Sequence, residues 1–212
     1  MALRKAGILM AGRLIYLMGP SGSGKDTVLQ GLSSLLGGKA YLAPRVVTRG
    51  ATGTEPGAVA VTLAEFEHME TCGRLAMAWR AHGLAYGVMR DINDRLVAGC
   101  DVLVNGSRAY LPEAQSRYAD LVPVLLSVEP RLLRQRLQSR GRESAEQIQA
   151  RLRRNARFMR PVAAGDARPV LLLDNSADPD STIQALYAHL TQAPPPQSAA
   201  GRPAAHRLAE CG

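Results

Sequence analysis

The sequence predicts an α/β fold, a mainly parallel sheet covered by helices on both faces, and three observations carry that prediction. Short apolar runs alternate with stretches of helical spacing along the 212 residues, the pattern of strands joined by crossover helices. A glycine-rich segment stands where the first apolar run meets the first helical stretch. Later, two consecutive helical stretches carry a dense block of arginines.

The elements follow in order. Leu14-Ile15-Tyr16-Leu17-Met18 is a short apolar run that ends at glycine, so it reads as a buried strand. Lys25 to Leu36 places Val28, Leu29, Leu32 and Leu35 at helical spacing, and Gly37-Gly38 closes that helix. Residues 43–58, rich in Gly, Pro and Thr, read as a substrate loop. Thr62-Leu63-Ala64-Glu65 opens a second helix with a capping-box pattern. Strands are expected at Ala76 to Trp79, Asp101 to Val104, Leu121 to Val128 and Val170 to Leu173, and helices near 109–118, 130–140, 144–158 and 179–190. From Ala193 onward the chain is Pro-, Ala- and Gly-rich without apolar periodicity. The expected organisation is therefore one domain over 1–192 and a disordered tail over 193–212.

Composition narrows the function classes. Hydrophobic residues at 46% and charged residues at 21% are ordinary globular values, against global disorder or a fibrous repeat. No apolar run approaches the roughly 20 residues that cross a bilayer. Arg4 and Lys5 precede an apolar stretch as in a secretory signal, but Gly12 and Arg13 cut it short, and a cytoplasmic protein is expected. Cys72, Cys100 and Cys211 show neither C-x-x-C nor Cys/His ligand spacing, so neither a disulfide framework nor a zinc site is expected. The net charge of +8 is almost wholly arginine, because lysine occurs only at 5, 25 and 39. Guanidinium forks suit phosphate oxygens, which points to small phosphorylated ligands or nucleic acid. Aromatic residues at 4% leave few bases' worth of stacking partners, so nucleic acid is the weaker reading.

Gly19-Pro20-Ser21-Gly22-Ser23-Gly24-Lys25 has the spacing of a phosphate-binding P-loop in the right context, after a strand and before a helix. The glycines let backbone N–H groups converge, the helix N-terminus adds a positive dipole end, and Lys25 brings a mobile charge to the β- and γ-phosphates of ATP. The next position usually carries a Ser or Thr hydroxyl for Mg2+; here it is Asp26, followed by Thr27, and either could serve the metal. Residues 131–160 hold arginines at 131, 134, 136, 140, 142, 151, 153, 154, 157 and 160 against Glu143 and Glu146 alone. Phosphoryl transfer spreads charge over equatorial oxygens, and a subset of these arginines is expected to close over ATP as a lid.

The loop resembles that of the guanylate kinase family, a group of P-loop kinases. Thr48-Arg49 looks like that family's acceptor-phosphate site, and His82-Gly83-x-x-Tyr86-Gly87 like its following motif. Leu133-x-x-Arg136-Leu137-x-x-Arg140-Gly141 and Arg151-Leu152 resemble its lid, so the similarity spans roughly residues 13–190. Three departures stand out. Met77 occupies the place of a glutamate that reads guanine, and Asn105 and Ser107 replace an aspartate pair, which predicts loss of guanine preference.

The loop with its Asp26, the segment Val102-Leu103-Val104-Asn105-Gly106-Ser107-Arg108, and Arg140-Gly141-Arg142-Glu143 are similar to the ribose 1,5-bisphosphate phosphokinases of phosphonate catabolism. That resemblance implies ATP-dependent conversion of ribose 1,5-bisphosphate to 5-phosphoribosyl 1-diphosphate. It implies Lys25, Arg136, Arg140 and Arg151 as catalytic groups and Asp26 or Thr27 at the metal. Gly19 to Thr27 and Asn175, the latter against adenine, would bind ATP. Arg45, Arg49 and Tyr86 would hold the acceptor phosphate, and Arg108, just past a strand end, its second phosphate. His82 reads as a turn histidine, because the attacking phosphate oxygen is already largely ionised and needs no base. Trp79 reads as core. A nucleoside monophosphate kinase of altered base choice and a non-catalytic interaction module remain the competing classes, the second disfavoured by the intact Gly24-Lys25.

Overall fold

A computed structural model describes residues 12–48, 57–81, 83–139, 141, 144–158 and 169–192. The expected tail at 193–212 lies outside the described residues, as do Arg49, His82 and Arg140.

Five strands form a wholly parallel sheet. β1 (Leu14–Met18) is buried at all five positions and pairs with β7 (Asp101–Asn105) on one side and β8 (Leu121–Ser127) on the other. β2 (Ala40–Leu42) extends the sheet beyond β7, and β9 (Leu171–Asp174) extends it beyond β8. The central position explains the apolar run: a strand with neighbours on both edges and helices on both faces has no wet side.

Alternate β1 side chains feed different cores, as the two-residue period of a strand requires. Ile15 and Leu17 pack with Val28, Leu29 and Leu32 of α1 (Lys25–Leu36) and with Ile183 and Leu186 of α7 (Pro179–Gln192). Leu14, Tyr16 and Met18 face Ile92 of α3 (Ile92–Val97) and Leu111 and Ala114 of α4 (Leu111–Arg117). Arg13 clamps the start of the sheet, its guanidinium 2.6 Å from Asp101 Oδ2 while its backbone N–H donates to Asp101 Oδ1 at 2.8 Å.

A second, four-stranded sheet runs β4-β3-β6-β5, from β3 (Arg45–Val47), β4 (Ala58–Ala60), β5 (Leu75–Ala81) and β6 (Leu84–Met89). β5 and β3 are antiparallel to β6. α2 (Leu63–Thr71) covers it with Phe66, which packs on Val46 and Ala85. The expected capping box is present: Glu65 N–H donates to Thr62 Oγ1 at 3.2 Å, and Thr62 N–H donates to Glu65 Oε2 at 2.6 Å.

This sheet corrects two expectations. The run at Ala76–Trp79 is a strand, but it belongs to the second, mixed sheet and pairs antiparallel with β6, since a two-residue connection forces a hairpin. Residues 43–58 include β3 at 45–47, a strand of three residues that is too short to show alternation. The arginine-rich helices α5 (Pro130–Ser139) and α6 (Ala145–Phe158) pack on each other through Leu133, Leu137 and Ile148. No helix among the described residues is long and apolar enough to cross a membrane.

Candidate active site

The glycine loop leaves the C-terminal end of β1 and runs into α1. Gly22 and Gly24 hold φ of 91° and 87°, left-handed conformations that a side chain resists, and their neighbours leave little room besides. A Cβ on Gly22 would meet Leu133 and Leu137 of α5 at 3.0 and 3.1 Å, so the arginine-bearing helix sits directly on the loop. Gly24 stands at the N-cap of α1 without a side-chain cap, which leaves first-turn N–H groups for an anion. Lys25 Nζ donates to the carbonyl oxygens of Gly19 and Pro20 at 2.9 and 3.1 Å, a position from which it arches over the loop.

Asp26 and Thr27 lie exposed on the first turn of α1. A carboxylate and a hydroxyl are the hard oxygen donors that Mg2+ accepts, so the residues present fit that ion. Asp26 has a partner that sequence reasoning missed: Asn105, at the end of β7, donates Nδ2–H to Asp26 Oδ1 at 2.7 Å. Ser23 is fully buried under the loop, whereas Ser21 is exposed and its Oγ accepts from Arg151 Nη1 at 2.6 Å. Arg151 of α6 thus touches the glycine loop.

Asn175 is placed otherwise than the expected contact with adenine. It is completely buried, which leaves no surface for a base to stack on. Its Nδ2–H donates to Ser23 O at 2.7 Å, its backbone N–H donates to Ser127 O at 2.9 Å, and its own carbonyl accepts from Arg136 Nη2 at 3.0 Å. The β9–α7 turn therefore braces the loop from behind. Arg136, expected among the catalytic arginines, points to that brace. The nearby hydrogen bonds of Asp174 to Ser176, and of Ser176 to Glu129 N–H, stiffen the same turn.

The residues expected to hold the acceptor phosphate, Arg45 and Tyr86, stand on the second sheet. Arg45 of β3 stacks over the Tyr86 ring, 5.9 Å to the centroid, and Tyr86 stacks on Trp79 at 5.7 Å. Trp79 also meets Tyr110 at 5.7 Å, so it is core as expected and holds Tyr86 in place. Met77 is completely buried in the same core and presents no polar atom to a base. Arg108 follows β7, and burial pulls its guanidinium pKa down. The turn before it is fixed by Tyr16, whose hydroxyl donates to Ser107 O and accepts from Ser107 N–H, both at 2.9 Å. Burial pushes the Tyr16 phenol far up, so it stays a donor. A Cβ on Gly106 would strike the Tyr16 ring at 2.1 Å, which makes glycine obligatory there.

The chain is similar to curated proteins along most of its length. The ribose 1,5-bisphosphate phosphokinase PhnN of Pseudomonas paraeruginosa is 53% identical over 182 residues, 85% of this chain and 96% of that protein. PhnN of Azotobacter vinelandii is 49% identical over 178 residues, with 84% and 94% covered, and PhnN of Pseudomonas fluorescens is 47% identical over 182, with 85% and 96% covered. Among solved structures, a guanylate kinase from Anaplasma phagocytophilum superposes with a TM-score of 0.66 at 21% identity, covering 86% of each chain, which shows a shared fold. No family model matches.

Proposed function

The chain belongs to the ribose 1,5-bisphosphate phosphokinase family, and from that premise we propose that it transfers the γ-phosphoryl group of ATP to ribose 1,5-bisphosphate, giving 5-phosphoribosyl 1-diphosphate and ADP. One observation carries the choice of acceptor. The phosphate loop is complete, while the three positions at which a guanylate kinase would read a base carry no acidic group here. Met77 is core, Asn105 spends its amide N–H on Asp26, and the Ser107 backbone is held by Tyr16. An acceptor with phosphates and no base matches such a site.

In this reading an oxygen of the 1-phosphate attacks the γ-phosphorus, the bond from that phosphorus to the β–γ bridging oxygen breaks, and ADP departs with the electron pair. The attacking oxygen is already ionised, so no general base is required. Lys25 leaves the Gly19 and Pro20 carbonyls for the β- and γ-phosphates, and the loop amides hold the remaining oxygens. Arg151, with Arg140, neutralises charge on the transferring group. Arg136 keeps the loop in shape through Asn175. Arg45, Arg49 and Tyr86 hold the acceptor at one phosphate and Arg108 at the other, which converts a bimolecular encounter into a positioned one. Asp26 and Thr27 would hold Mg2+, which supplies charge neutralisation at the β- and γ-oxygens. A cytoplasmic setting, where ATP is supplied, and a sugar bisphosphate rather than nucleic acid as partner fit this reading.

The test is kcat/KM for ribose 1,5-bisphosphate against GMP at one Mg–ATP concentration. A site without the polar partners that a base needs is expected to favour the sugar bisphosphate by about 10³-fold or more. Preference for GMP refutes the acceptor and the reading of Met77 together.

A further inference from the structure

We propose that Asn105 is the positioning residue of Asp26, and that it sets how strongly a divalent cation assists nucleotide binding at the loop. The inference rests on the reading of the loop as the ATP site and goes further by giving Asn105 a role in metal dependence.

Asn105 closes β7, level with Leu17 of β1 in the parallel register, so its side chain arrives at the first turn of α1 from within the sheet. It is 5% exposed, whereas Asp26 is exposed. An exposed aspartate on a helix surface exchanges between rotamers; a hydrogen bond from a donor that is itself locked in the core selects one of them. The orientation of the amide is settled by chemistry, because a carboxylate offers acceptors alone and the NH2 end must face it. Only Oδ1 of Asp26 is engaged in this way. Asp26 is itself exposed, so its carboxylate remains accessible to a cation.

Asn105 has a second polar atom to account for. Its Oδ1 is sealed from solvent and has no hydrogen-bond partner among the described residues. Buried acceptors of this kind are rare and call for a missing donor. Mg2+ keeps several waters when it binds through one or two carboxylates, and the protons of those waters are donors of the required kind. A neutral amide suits both duties. An aspartate at 105 would set a second negative oxygen at hydrogen-bond distance from Asp26, and an alanine would leave Asp26 free to swing.

A plain structural tie between β7 and α1 is the competing account, and ADP binding separates the two. The full-length chain is titrated with ADP by calorimetry, once with Mg2+ and once with EDTA, as wild type, Asn105→Ala, Asp26→Ala and the double variant. The gain in ADP affinity on adding Mg2+ is expected to fall about 10- to 100-fold in Asn105→Ala, the range seen when residues that orient metal ligands are removed. Affinity in EDTA stays close to wild type. The double variant should be no worse than Asp26→Ala alone, because Asn105 acts through Asp26. Asn105→Ser leaves a smaller cavity and gives the same answer should the alanine variant fold poorly. Full Mg2+ enhancement in the Asn105 variants, or losses that multiply in the double variant, overturns the proposal. Wild type that binds no ADP at all overturns the loop assignment and the proposal with it.

Discussion

Replacing Asn175 by alanine separates two roles for one residue, and the structure gives the size of the effect. The substitution removes the Nδ2–H that serves Ser23 O and leaves that carbonyl buried without a donor, a loss of about 1–3 kcal/mol. The emptied volume, roughly 30 Å3 at about 24 cal/mol per Å3, adds roughly 0.7 kcal/mol. Against this, Asn175 Oδ1 is itself buried without a partner among the described residues, and its removal returns about 1 kcal/mol. The net is a destabilisation of about 1–3 kcal/mol, or a fall in Tm of roughly 3–10 °C for a domain of this size. Differential scanning fluorimetry without nucleotide reads that fall. Titrations with ATP and with inorganic tripolyphosphate complete the test, because the second ligand has no base. A brace behind the loop weakens both ligands by the same factor. An unchanged Tm with weakened ATP and unaffected tripolyphosphate would refute the brace and restore a contact with adenine.

Lys25→Ala should leave the circular dichroism spectrum and Tm near wild type while kcat drops by about 10³-fold or more, as expected for a charge aimed at the transferring group. Near-normal turnover would sink the loop assignment. Tyr118, whose hydroxyl donates to Asn93 Oδ1 at 2.9 Å, has its pKa pushed by burial to about 12. In the unfolded chain the phenol ionises near pH 10, so between about pH 10 and 12 the unfolded state alone loses the proton and stability falls with pH. Tyr118→Phe should flatten that part of the alkaline unfolding curve, and an unchanged slope from pH 9.5 to 11.5 in urea titrations would show the phenol to be solvated.

What the sequence disclosed follows from how local each signal is. β1, α1 and the glycine loop were legible because an apolar run, a helical period and three glycines before a lysine lie within two dozen residues. The capping box at Thr62 was legible for the same reason. β2, β3 and β4 have three residues each and no period to detect, and β6 and α3 were passed over as well. The sheet to which β5 belongs is a matter of topology, which residue types along one segment do not encode. In the site, Asn105 meets Asp26 across 79 residues and Asn175 meets Ser23 across 152. Arginine density predicted a lid, yet only three dimensions distinguish Arg151, which touches Ser21, from Arg136, which turns to the Asn175 carbonyl.

The four adjacent strands β7, β1, β8 and β9 run parallel and finish at the same end of the sheet, where Asn105 closes β7, the glycine loop leads from β1 to Lys25, and the segments after β8 and β9 carry Glu129 and Asn175. Arg45 and Tyr86 ride on the other sheet. In the proposed reading the ATP-handling groups are indexed by the ladders of the parallel sheet, while the acceptor site draws Arg45 and Tyr86 from the second sheet and Arg108 from the turn after β7. If that reading holds, a library over β3, β5 and β6 together with position 108 is expected to change acceptor choice while leaving nucleotide binding intact.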